Sequence, residues 1–489
     1  MNFAVKFSGR FGLVCFGLVT LALACQTTRK PTKAPTALAK APPKAAVESF
    51  DAAWRLIEET HFDRQFNGVD WVAVRNELRP RAEAATSDRE LRSVIQEMLD
   101  RLGQSHMVLI PRETAEVFDA EPPSNATPSG AQSAAHSADR SPPKKPPTAG
   151  PSSKNDNPVA DGAGDAGFEV RLVENQILVT RVEPGGPAER AGLKPGWIVK
   201  AIDEATVTDL LDLLPDKLEA RRKKVLAWTT VMAPLKGNPG STVRMQFLDA
   251  ADSQVSMEIK RGQTLGVPAK LGFLPTFFAR LQSQRIQSEN GAAIGIIRFN
   301  LWMFPIAAAF DNAIDGLRNC DGIVLDLRGN VGGIAGMIMG FSGHFLKDRI
   351  SLGTMKGREL ELQFIANPRF VNPAGQRVEP YAGPLAILTD DLSLSASEIF
   401  AGGMQAIGRA RIFGQPTMGA ALPSMYDRLP NGDVLMHAVG DFVTSTGIRL
   451  ESRGVVPDEP IVLKRRELLS GRDATLAAAL NWIDQQRRK

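Results

Sequence analysis

The chain has 489 residues, of which 43% are hydrophobic and 23% charged, with a formal net charge of +4 at pH 7. That length suits two or three domains, and the apolar share supports a large core. The near-balanced charge and the lack of a basic patch interleaved with aromatics exclude an obvious nucleic-acid binder. No Cys/His spacing points to a metal, and no cofactor is expected.

Residues 1–24 read as a targeting signal: Lys6 and Arg10 precede an apolar stretch, Phe11 to Ala24, too short to span a bilayer. The stretch ends Leu21-Ala-Leu-Ala-Cys25 and resembles a bacterial lipoprotein cleavage box with Cys25 as the lipidated residue, although Ala22 stands where that box usually has Leu. Simple secretion is the alternative. Either route places the protein in a bacterial cell envelope, and lipidation makes the membrane a partner. Only Cys25 and Cys320 remain after cleavage, so no intramolecular disulfide is expected. Residues 25–45, rich in Lys, Pro, Thr and Ala, read as a tether.

A helical N-terminal domain is expected over 46–113. Phe50, Trp54 and Ile57 share one face, and Trp71, Val74 and Leu78 share the next. Ser87-Asp-Arg-Glu90 is a capping box opening a third helix with Leu91, Val94, Ile95, Met98, Leu99 and Leu102 at helical spacing. Gly103 stops it, and Gln104-Ser-His-Met follows. Residues 114–165 are Ala, Ser, Pro, Gly and Asn with few large apolar residues, and are expected to be a disordered linker.

Over 166–265, Gly167-Phe-Glu-Val170, the strand Gln176–Val182 and the run Pro184 to Asp203 resemble a bacterial PDZ domain, a β-rich module. In that family a Gly-apolar-x-apolar loop holds a peptide's terminal carboxylate while a strand edge adds the ligand as a further strand. The resemblance makes Gly167, Phe168, Glu169 and Val170 the candidate peptide-binding residues; an ordinary strand start is the other reading. A helix inserted within 205–240 is expected from the length of that connection.

Residues 266–489 alternate strands and helices, with apolar strands at Ala292–Phe299, Gly322–Leu327, Leu385, Ile412 and Val434–Phe442, and helices at Met337–Leu346 and Ala474–Gln485. The pattern predicts an α/β core with a mixed sheet, and so a multidomain α+β chain overall. Around Leu385 to Met404 an apolar strand turns sharply into a helix that starts Ser395-Ala-Ser-Glu398. Such a turn can present one hydroxyl at its tip, with free helix N–H groups beside it; Ser395 could equally serve as a plain helix cap.

Ser393-Leu-Ser-Ala-Ser-Glu-Ile-Phe-Ala-Gly402, Gly408 to Gly414, Gly447 to Asp458 and the strand-loop Ile323 to Gly333 together resemble the tail-specific, carboxyl-terminal-processing serine peptidases. The resemblance implies Ser395 as nucleophile, Ala396 and Gly332 as backbone donors of the oxyanion hole (Gly333 being the neighbouring register), and Asp326 and Arg328 as structural supports. The family's commonest branch uses a Lys 25 places after the Ser, where this chain has Ala420. A tricorn-like branch instead takes a His from a Leu-Gly-x-Ser-His motif, present as Leu102-Gly-Gln-Ser-His106. There the resemblance makes His106 the general base, Ser105 its orienting partner and Glu451 the support of that Ser. Two plainer readings stay open, His106 as a histidine near a helix C-terminus and Glu451 as a loop ion pair. The expected function is a serine endopeptidase acting on polypeptides, with the PDZ-like domain as the means of selecting them by their free C-termini. The alternative is an inactive peptidase-fold PDZ scaffold, which the missing Lys favours.

Overall fold

The computed structural model describes residues 43–116, 163–212, 214, 220–272 and 274–487. Cys25, the leader and nearly all of the tether and of the 114–165 stretch lie outside them. Where that stretch is described it departs from expectation: a short helix covers Arg112–Glu116, and Gly164–Asp165 pair with Gly262–Gln263 and Lys236–Gly237. No helix among the described residues is long and apolar enough to cross a membrane.

Three helices come first, α1 (Pro43–Thr60), α2 (Trp71–Ala84) and α3 (Asp88–Asp100). Ser87 Oγ caps α3 by accepting from the Glu90 N–H at 3.3 Å, and Gly103, at φ +62°, takes the chain out of the helix. Their buried faces carry the expected residues, Phe50, Ile57, Trp71, Leu78, Leu91, Ile95 and Leu99 among them. The core they form is not their own. Leu422, Leu429, Leu435 and Ala438, more than 300 residues downstream, complete it.

Strand β1 (Val108–Ile110) follows. Next come β2 (Phe168–Val173), β3 (Gln176–Val182), β4 (Ile198–Ile202), the inserted helix α4 (Ala220–Met232), β5 (Thr242–Leu248) and β6 (Gln254–Lys260). The last five strands lie in the order β2-β3-β4-β5-β6, leaving β2 at an edge with α4 packed against it.

A second sheet holds the strand that leads to Ser395: β7 (Leu281–Gln287), β8 (Ala293–Phe299), β9 (Gly322–Asp326), β12 (Leu385–Thr389), β13 (Arg411–Gly414) and β17 (Glu459–Pro460), in that order. β7 runs antiparallel to β8, and every other neighbouring pair is parallel, so the sheet is mixed. Alternate residues feed two cores, as a period of two requires. Ile323, Leu325 and Ile387 join the layer of α5 (Ala307–Leu317), α6 (Met337–Ser342) and α7 (Ala396–Ala406), whereas Val324, Ala386 and Leu388 meet the closing helix α8 (Ala474–Arg487).

β10 (Ser351–Gly357) and β11 (Glu361–Ile365) sit over α7 with β16 (Gly440–Thr444), while β14 (Ser424–Arg428) and β15 (Val434–Ala438) form a hairpin with β1. The single strand expected over Val434–Phe442 is therefore two strands in two sheets. Val439 donates its N–H to the Pro423 carbonyl at 2.8 Å and breaks the ladder between them. The helix expected over Met337–Leu346 ends at Ser342, since the chain turns at Gly343, where a side chain would strike the Asn367 carbonyl.

Candidate active site

Strand β12 ends at Thr389, and the turn 390–395 is laced to the loop after β9. Gly329 N–H donates to Asp390 Oδ1 (2.8 Å), Leu394 N–H to the Asn330 carbonyl (3.0 Å) and Ser393 Oγ to the Leu327 carbonyl (2.8 Å). Of the three serines in Ser393-Leu-Ser-Ala-Ser397, two have structural partners: Ser397 Oγ donates to the Asn330 carbonyl at 3.0 Å and accepts from Trp302 Nε1 at 2.9 Å. The Ser395 hydroxyl is fully buried and makes no hydrogen bond. Its residue sits at φ +59°, ψ −114°, in backbone territory that a non-glycine residue occupies at a cost of about 1–3 kcal/mol. The capping arrangement is present on its other side, where the Ser395 N–H donates to Glu398 Oε2 at 2.9 Å.

Gly332 stands directly against this turn. At φ +93°, a Cβ on it would lie 2.8 Å from Ser395 Cβ and 3.2 Å from Ala396 N, so only glycine lets the two loops meet. Its N–H donates to Asn330 Oδ1 at 3.1 Å and its carbonyl accepts from Trp302 N–H at 2.9 Å. For Gly332 to serve an oxyanion, the bond to Asn330 must be given up. Ala396 opens α7, where helix geometry leaves the first N–H groups without intrahelical partners.

His106 lies beyond the turn 417–421. The Ser395 N–H also donates to the Ala420 carbonyl (3.1 Å), and the next residue, Ala421, donates its N–H to Glu451 Oε2 (3.0 Å). Glu451 in turn accepts from Ser105 twice, from N–H at 2.9 Å and from Oγ at 2.9 Å, and Ser105 Oγ is 2.7 Å from His106 Nδ1. Since the Ser105 proton goes to Glu451, its oxygen accepts from Nδ1–H, and that tautomer leaves the lone pair on Nε2. Glu451 is thus a buried hydrogen-bond acceptor, and no ion pair of it occurs among the described residues. Burial pushes its carboxyl up and the bonds from Ser105 and Ala421 pull it back. Burial also lowers His106, to about 4. The structure brings Ser105, His106 and Glu451 together and sets their loop against that of Ser395; it draws no hydrogen bond between His106 and the Ser395 hydroxyl. Catalytic contacts of this kind commonly tighten only when substrate arrives.

Asp326 and Arg328 do form a support. Arg328 bonds Asp326 and, across the sheet, Asp473, both at 2.8 Å. The other candidate stretch begins at Gly167, φ +82°, whose N–H donates to Asp165 Oδ1 at 2.6 Å. Phe168 and Val170 are buried in the β2 sheet. Glu169 points instead to the core, with Arg298 at 3.0 Å and Arg181 at 3.2 Å; burial raises its carboxyl, but Arg298, Arg171 and Arg181 hold it down at about 2. Arg171, on the same strand, bonds Asp390 at 2.9 Å, and Lys224 of α4 reaches Asp391 at 2.9 Å. These bridges were not legible in the sequence, because nothing in a strand pattern says which charged residue faces another domain. A cavity of about 520 Å³ runs alongside, lined by Gly167, Phe168, Met232, Arg298 and Gly329. Among the described residues no cluster of side chains suits a metal ion.

A mixed α/β core with an unbonded serine at a strained strand-to-helix turn, facing glycine-bearing loops, suits hydrolase chemistry of the nucleophilic serine type. Residues 293–461 match Peptidase family S41, and residues 42–100 match the Tricorn protease C1 domain. The chain is 25% identical over 444 residues to "Carboxyl-terminal-processing peptidase 2, chloroplastic" of Arabidopsis thaliana, covering 88% of this chain and 73% of that one. It is 24% identical over 441 residues to a carboxyl-terminal-processing protease of Synechocystis, covering 88% and 85%. Against a probable CtpA-like serine protease of Staphylococcus haemolyticus, also 24% identical, it covers 62% of this chain and only 54% of the relative. The fold is that of the photosystem II D1 C-terminal processing protease (TM-score 0.53, 19% identity, 88% of this chain and 98% of that one) and of mature CPAF (TM-score 0.54, 13% identity, 91% and 96%). These matches make the chain a serine-type peptidase that resembles the tail-specific, carboxyl-terminal-processing proteases, with its S41 match confined to residues 293–461.

Proposed function

We propose that the protein is an endopeptidase in which Ser395 attacks the peptide carbonyl and His106 takes its proton. The observation that carries this reading is the hydrogen-bond chain from Glu451 through Ser105 to His106 Nδ1, which leaves Nε2 as the base. It begins at Ala421, one residue from the Ala420 carbonyl that accepts from the Ser395 N–H. The turn that carries Lys in related enzymes here serves as a backbone bridge between nucleophile and base. Ala396 and a glycine of the 332–333 pair supply the oxyanion N–H groups. Hydrolysis of an unfolded protein such as reduced casein tests the reading: wild type cleaves it and Ser395→Ala does not. If neither cleaves it, the scaffold reading favoured by Ala420 replaces this one.

The segment 166–265 is the PDZ-like module, and its edge strand β2 with the flanking α4 and the adjoining cavity suits a chain end added as a further strand. Substrates are then polypeptides chosen by free, apolar C-termini, and amidating such a peptide weakens its binding. Equal affinity for free and amidated ends leaves the module a spacer. In the cell envelope Cys25 carries the lipid that anchors the mature chain. Membrane fractions of Cys25→Ala that match wild type contradict the anchor.

A further inference from the structure

Glu398 is fully buried with no ion pair among the described residues, yet it touches both halves of the site. Its Oε1 accepts from Thr417 Oγ1 at 2.6 Å and from Gly419 N–H at 2.7 Å; its Oε2 accepts from Ser395 N–H at 2.9 Å and Ala420 N–H at 3.0 Å. Three of these partners are backbone N–H groups, which cannot reverse their direction. The fourth, the buried Thr417 hydroxyl, accepts from Val455 N–H at 2.7 Å and gives its own proton to Glu398. Four donors on two oxygens leave a carboxyl proton no acceptor unless the Thr417 hydroxyl turns its own proton away. Neutral Glu398 must therefore break up this set, either by reversing the Thr417 hydroxyl on the Thr417–Gly419 side or by releasing a partner on the Ser395–Ala420 side.

We propose that Glu398 is a positioning residue whose ionisation assembles the catalytic centre. As an anion it holds strained Ser395 and the turn 417–421 in register with the Glu451–Ser105–His106 relay, and as a neutral acid it lets one of them go. The inference rests on Ser395 being the nucleophile. The turn 415–423 and α6 carry no ionisable side chain. From the facing loop come Glu451, bound to Ala421 N–H, and Arg453; from α4 comes Arg221, on the Thr417 and Arg453 carbonyls at 3.1 and 2.7 Å; His106 stands behind Ser105. The strands against α7 carry Lys356, Asp441 and Arg411, each paired elsewhere, with Glu361, Arg449 and Glu459. None is an ion partner of Glu398. Burial pushes this carboxyl up to about 7 against the pull of its hydrogen bonds, whereas His106 is lowered to about 4. The assembly thus switches on as pH rises through neutrality, well above the range in which His106 itself is protonated.

The test is the rate at which a fluorophosphonate probe labels Ser395 in the full chain between about pH 5 and pH 9, with circular dichroism as the check of folding. Wild type should label about tenfold faster per pH unit below an inflection near neutrality and level off above it. Glu398→Gln, an isostere without the charge, should label about 10- to 100-fold more slowly than the wild-type plateau and lose the neutral inflection. A variant that is slow but keeps that inflection, or a wild-type rate flat through neutrality, overturns the proposal. Should Glu398→Gln not fold, Glu398→Asp decides: the inflection must persist but move, and an unmoved one overturns it. Failure of wild type to label at any pH counts against Ser395 as nucleophile. The infrared carboxyl band lost between wild type and Glu398→Gln then decides Glu398: titration through neutral pH supports its role, and a band already ionised at pH 5 contradicts it.

Discussion

At the scale of single residues, burial moves two groups of this site in opposite senses, His106 down to about 4 and Glu398 up to about 7. The consequences for stability are opposed as well. Folded His106 binds its proton less readily than the unfolded chain does, so its contribution is lost as pH falls from about 6.5 toward 4. Folded Glu398 binds its proton more readily than the unfolded chain, so its contribution is lost as pH rises from about 4.5 toward 7. Where the windows overlap the two slopes offset each other. Glu398→Gln removes one of them, and its unfolding free energy, from urea titrations at several pH values, should rise more steeply than wild type between about pH 5 and 6.5. An unchanged slope would show that Glu398 does not titrate there. Gly332→Ala belongs to the same scale. Its Cβ would meet Ser395 Cβ at 2.8 Å and its φ of +93° suits only glycine, so both thermal stability and activity should fall, stability by more than about 1 kcal/mol. Normal melting and turnover would contradict the close approach of the loops.

At the scale of elements, the hairpin β14–β15 holds the proposed base in place. It pairs with β1, which follows His106 directly, and its tip is pinned by Asp433. That fully buried carboxylate accepts from Arg92 Nη2 at 2.7 Å, Arg92 Nε at 2.9 Å and Arg112 N–H at 2.9 Å. Asp433→Ala leaves Arg92 with only the exposed Glu113 as ion partner and strands the Arg112 N–H, at about 1–3 kcal/mol by denaturant unfolding, and should lower turnover by loosening the hairpin beside His106. A loss under about 1 kcal/mol would show the tip to be solvated. The helices were legible in the sequence because their apolar spacing and the Ser87 cap are local signals. Their partner was not: Leu422, Leu429 and Leu435 look like ordinary strand residues, and only the fold puts them beneath α1 and α3. The site divides the same way. Ser395, Ser105, His106 and Glu451 stand in motifs, whereas Glu398 passes in sequence for half of a capping box. Its bonds to Thr417, Gly419 and Ala420 span about 20 residues of chain with no pattern of their own. The engagement of Gly332 N–H by Asn330 is likewise a matter of loop geometry.

At the scale of the whole molecule, the proposed catalytic unit joins chain segments up to 346 residues apart, with the β2–β6 sheet lying between them in sequence. The helices, the hairpin and the turn 417–421 must dock together before His106 can serve Ser395. Groups that move one proton as a unit fail together rather than additively. The most direct measurement is therefore kcat/KM on an unfolded protein for His106→Ala, Ser395→Ala and the double variant. The account predicts that His106→Ala loses about 10²–10⁴-fold and that the double variant is no worse than Ser395→Ala alone. Near-normal turnover by folded His106→Ala would contradict it.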